Sequence, residues 1–78
     1  MNADVVEELA VGNCLVRVRS IRVEQPGAAG WMGVWEVYQL PWYRRKRAVR
    51  VGETSVETSE SLALGMARTI ATAIAFAF

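Results

Sequence analysis

The run Trp42-Tyr43-Arg44-Arg45-Lys46-Arg47 sets two aromatic rings beside four cations, the combination that contacts phosphate oxygens and stacks on nucleobases. Arg50 extends this cluster, and Arg17, Arg19 and Arg22 form a second one. One expectation is therefore a nucleic-acid-binding surface made of these residues. The same run also suits a solvated hairpin whose two rings fold back onto the core, because short basic runs are common on protein surfaces.

Catalytic and metal chemistry find less support. Cys14 is the only cysteine and the chain has no histidine, so a thiolate at Cys14 has no imidazole to generate it. The common zinc sites lose their ligands for the same reason. Glu24 and Glu36 each have an arginine within strand-pairing reach, which makes them ion-pair partners rather than an acid and base couple. Gly27-Ala28-Ala29-Gly30 has the letters of the GxxG loop of KH domains, yet that loop joins two helices and this one lies between two strands. The expectation is a protein with no catalytic residues, no metal and no cofactor, working by binding.

Seventy-eight residues make one small α+β domain, 1–78, which buries only about 60% of its unfolded surface. Small domains gain stability from a disulfide, a metal or a partner subunit, and the inventory leaves the partner. The net charge of +1 says little about polyanions, because the basic clusters are offset by acids near the start and before the last helix.

The elements that must position these groups begin with residues 3–11. Val5, Val6 and Leu9 share a helical face, Asn2 or Asp4 suits the cap and Gly12 suits the end, which predicts a short helix. A strand over the same residues would set Glu7 and Glu8 beside valines. Cys14 to Glu24 alternates as a strand with a phase shift that predicts a bulge near Ser20, leaving Arg17, Arg19 and Arg22 on one face. Gln25 to Gly30 is a turn. Trp31 to Leu40 is the second strand, with Trp31, Trp35 and Val37 on one side and Met32, Val34, Glu36 and Tyr38 on the other. Pro41 ends it. The third strand carries Arg47, Val49 and Val51 on one side, with Ala48 and Arg50 on the other, so Arg50 is expected on the outer sheet face with Arg17, Arg19 and Arg22.

A helix starting at Thr54 with Glu57, or preferably at Thr58 or Ser59, runs toward Phe78, although residues 73–78 also alternate as a strand would. Leu62, Met66, Ile70, Ile74 and Ala77 form the stripe that would face the sheet. The expected fold is a two-layer sandwich, α-β-β-β-α: a three-stranded antiparallel meander, a long carboxy-terminal helix on one face and a short amino-terminal helix. That order resembles the double-stranded-RNA-binding domain as topology only. The segment opening the last helix carries Glu53, Glu57 and Glu60, where that family has a basic cluster.

The last helix is apolar nearly all round, so Leu64, Ala71 and Phe78, off the first stripe, need a second cover. Together with Met32, Val34 and Tyr38 on the outer sheet face they are the expected interface of a homodimer. Leu62 to Phe78 reaches only the lower edge of a membrane-spanning length and contains Arg68, so a membrane is not the expected partner. The first fifteen residues hold Asp4, Glu7 and Glu8 and lack a secretory pattern, which makes the cytoplasm the expected compartment. The leading functional expectation is a small module for protein-protein interaction or homo-oligomer assembly. Nucleic-acid binding is the alternative.

Overall fold

A computed structural model describes residues 6–39 and 48–78, without the side chains of Gln25 and Ala28. Alternating apolar and polar residues give two long strands, β2 (Cys14–Gln25) and β3 (Ala28–Gln39), joined by the two-residue turn Pro26-Gly27. Proline presets its own φ, and Gly27 takes φ 77°, the pairing of residue types that a type II turn requires. The turn is tighter than the six residues expected, because Ala28, Ala29 and Gly30 already belong to β3.

Pairing between β2 and β3 is unbroken from Cys14↔Gln39 to Gln25↔Ala28, so the expected bulge near Ser20 is absent. Ser20 stays in phase with Val16 and Val18 and is buried. Its hydroxyl donates to Glu60 Oε2 at 2.6 Å, which meets the requirement that a buried polar group be partnered. Continuous alternation then moves Ile21 and Val23 to the outer face and Arg22 to the inner one.

The amino-terminal segment is a strand, not a helix. β1 (Val6–Val11) pairs antiparallel with β2 from Val6↔Arg19 to Val11↔Cys14. The hairpin closes through Gly12-Asn13, with Gly12 at φ 57°. The carboxylates that argued against a strand are both matched across it. Glu7 accepts from Arg68 of the last helix at 2.6 Å, and Glu8 lies 3.3 Å from Arg17. Val11 is buried and Leu9 packs against the core, contacts that helix periodicity alone could not weigh.

β4 (Arg50–Glu53) pairs with β3 at Val34↔Glu53 through Val37↔Arg50, which completes a four-stranded antiparallel sheet in the order β1-β2-β3-β4. The meander therefore has four strands where three were expected. Beyond Glu53 the chain keeps beside β3 with one extra residue, since Trp31 and Glu57 exchange both backbone hydrogen bonds. Thr54 bridges this irregularity. Its Oγ1 accepts from the Gly33 amide at 2.9 Å, and its own amide donates to the Gly33 carbonyl at 2.8 Å.

Helix α1 (Glu60–Phe76) starts where expected, at Ser59, whose Oγ accepts from the Leu62 amide at 3.2 Å; such a cap contributes about 1 kcal/mol. It lies on the inner sheet face, above Cys14, Val16 and Val18 of β2 and Trp35 and Val37 of β3. The residues it buries are Ala63, Leu64, Ala67, Ala71 and Ala75. This corrects the expected stripe: Leu62 is 51% exposed and Met66 40% exposed, and only Ile70 and Ile74 of that stripe pack against the core. The reason lies in β3. A Cβ on Gly33 would overlap the Ala63 carbonyl and the Ala67 methyl, so the helix backbone rests on the sheet there and only small side chains fit at that contact.

Candidate interaction surfaces

At 100° per residue, a helix that turns Ala63, Ala67, Ala71 and Ala75 inward must turn the opposite face to solvent. That face holds Leu62, Gly65, Met66, Thr69, Thr72, Ala73 and Phe76 and no charged residue. A surface helix ordinarily shows charged and polar side chains there. Phe76 is 74% exposed. Two contiguous shallow concavities run along this side, one around Gly65 between Leu62, Met66 and Thr69, the other between Thr69, Thr72, Ala73 and Phe76. Arg68 lines the edge of both, its guanidinium paired with Glu7 of β1.

The outer sheet face is the second surface. Strand alternation places Leu15, Arg17, Arg19, Ile21 and Val23 of β2 there, facing Tyr38, Glu36, Val34, Met32 and Gly30 of β3, with Val51 and Glu53 on β4. Its centre is polar. Arg17 stands opposite Glu36 in register and pairs with Glu8, and the Tyr38 hydroxyl donates to Glu36 Oε2 at 3.2 Å. Burial raises the Tyr38 pKa above the usual 10.0, the Glu36 charge and hydrogen bond raise it further, and Arg17 opposes both. Val6, Arg17, Arg19 and Glu36 line a small polar hollow. Around this centre lie half-buried Ile21, Val23, Met32 and Val34 and the 65% exposed Val51.

The structure divides the expected nucleic-acid residues between two faces. Arg17 and Arg19 are on the outer sheet face. Arg22 is on the inner side, its guanidinium 5.6 Å from the Trp31 ring centre and its Nε 2.8 Å from Glu24. Arg50 is also on the inner side, 5.3 Å from the centre of the Phe78 ring, which corrects its expected place beside Arg17. Trp42, Tyr43, Arg44, Arg45, Lys46 and Arg47 lie outside the described residues. Of the expected interface residues, Met32, Val34 and Tyr38 are on the outer face and Phe78 is partly exposed at the helix end, while Leu64 and Ala71 are buried under the helix.

Leu62, Met66, Thr69 and Phe76 were missed as surface residues. The signal for them was present in the alanines at every fourth position from 63 to 75, opposite a glycine in β3. Cys14 is fully buried, its Sγ 3.9 Å from the Ala75 carbonyl. Trp35 packs its ring over Gly52, and its Nε1 has no hydrogen-bond partner among the described residues. Also among the described residues, no three carboxylate or thiol side chains converge as a metal site, and no helix is long and apolar enough to cross a membrane. Comparison of the chain with protein-family models, with curated proteins and with solved structures finds no match.

Proposed function

We propose that the protein is a small non-catalytic module that works through protein-protein interaction or homo-oligomer assembly. The observation that carries this reading is the division of α1: four alanines and Leu64 are buried against the sheet, while Leu62, Met66 and Phe76 stand on the solvent side. Exposed, contiguous apolar surface on a folded domain is characteristic of contact sites. Among the described residues the arginines support the nucleic-acid alternative less well, because Arg17 and Arg22 are paired with carboxylates and Arg22 and Arg50 face away from Arg17 and Arg19.

The test is the double substitution Leu62→Glu with Phe76→Glu. Both side chains are exposed, so the circular dichroism spectrum should stay that of the parent while association, followed by light scattering, is lost. A doubly substituted chain that associates as the parent does would overturn the reading.

A further inference from the structure

We infer that the polar hollow on the outer sheet face binds a small zwitterion, an α-amino acid with a short aliphatic side chain. Arg19 takes its carboxylate and Glu36 its ammonium. The site is separate from the outward face of α1 and does not depend on the assembly reading.

Strand register places the groups. Arg17 and Arg19 are neighbours on the outer side of β2, Val6 of β1 stands opposite Arg19, and Glu36 of β3 stands opposite Arg17. These four residues line a cavity of about 320 Å³, at the lower end of the range that holds small ligands.

Hydrogen bonding around the hollow is uneven. Arg17 is occupied, its Nε 3.3 Å from Glu8. One oxygen of Glu36, Oε2, accepts from the Tyr38 hydroxyl at 3.2 Å, a contact that draws the carboxylate along β3 to the side away from Arg19. Glu36 Oε1 and the guanidinium of Arg19 have no hydrogen-bond or ion-pair partner among the described residues. An open cation and a half-open anion therefore border one hollow without pairing.

Charge decides the ligand. The two arginines of the hollow are balanced by Glu36 and Glu8, so the site has no net charge to offer. A plain anion would take Arg19 but meet Glu36, and a plain cation would take Glu36 but meet two arginines. One small molecule carrying both charges satisfies both sides, through charge-assisted hydrogen bonds at each end. Val6, 47% exposed, gives an aliphatic side chain an apolar wall to cover.

L-Valine is the probe, with two analogues that each lack one charge: isovalerate has no ammonium and isobutylamine has no carboxylate. Titrated into isotope-labelled protein at millimolar concentration, valine should shift the amide resonances of Val6, Arg17, Arg19 and Glu36 and saturate. Each analogue should bind at least about tenfold more weakly. Arg19→Gln and Glu36→Gln should each weaken valine by a similar factor, while the circular dichroism spectrum and the solution mass stay those of the parent. Glutamine at position 36 still accepts from Tyr38, so this change tests the charge and not the strand. Leu62→Glu with Phe76→Glu leaves the hollow intact and should bind valine as the parent does, whatever its mass. Isovalerate binding as tightly as valine would make the hollow an anion site and overturn the inference. Equal binding of isobutylamine would overturn it too, as would an Arg19→Gln variant of parental affinity or the absence of saturable shifts.

Discussion

The carbonyl of Ala63 rests on Gly33, at a point where any side chain on β3 would overlap it. This contact sets the height of the helix above the sheet and, with it, which side of the helix can face inward. Alanines fill the closest approach, Leu64 is buried beside them, and Leu62, Met66 and Phe76 are left at the surface.

Gly33→Ala should therefore destabilise the protein more than an ordinary surface change. The new methyl meets backbone at Ala63 as well as the Ala67 side chain, neither of which can rotate away. Overpacking of this kind costs about 1–3 kcal/mol, read as a lower urea midpoint. A midpoint equal to that of the parent would show that the helix does not rest on Gly33.

Leu64 and Leu62 should respond oppositely to the same substitution. Leu64 is 8% exposed and belongs to the core. Leu64→Glu buries a carboxylate without a partner, a penalty of several kcal/mol that is enough to unfold a domain of this size. Leu62→Glu, at a 51% exposed site, should change the stability of the fold by no more than about 0.5 kcal/mol. Thermal melts of the two variants followed by circular dichroism make the comparison.

These contrasts show where the sequence was readable. The existence of strands β2 and β3, a turn containing Pro26-Gly27 and a helix starting at Ser59 follow from alternation, Pro-Gly and a run of helix formers, while the unbroken phase of β2 and the length of the turn do not. Residues 6–11 fit either period, and what decides them is ladder pairing with β2 across the Gly12-Asn13 turn, together with the contact of Glu7 with Arg68 far along the chain. The helix offered two stripes. Hydrophobicity favours Leu62, Met66 and Ile70, but the close approach at Gly33 selects Ala63, Ala67 and Ala71 instead, and no property of the helix alone states this. The same inversion sent Leu64 and Ala71 inward and left Leu62 and Phe76 as the candidate surface.

Alkaline pH should weaken the outer sheet face. Burial and Glu36 raise the Tyr38 pKa above 10.0, so above that pH the folded chain holds a proton that the unfolded chain has released. Tyr38 then adds stability that is complete below about pH 10 and is lost as pH climbs through its folded-state pKa. Tyr38→Phe should flatten the stability profile over that range in urea titrations at stepped pH. An unchanged slope would mean that Tyr38 is as free in the fold as in the unfolded chain.

The most direct measurement is the solution mass by light scattering at low and high salt, with and without a mixed oligonucleotide pool. The account predicts twice the chain mass of 8.6 kDa, unchanged by salt and by the pool, because the proposed contact surface is mostly apolar. A monomer whose mass rises only when oligonucleotide is present at low salt would contradict it and transfer the function to the basic residues.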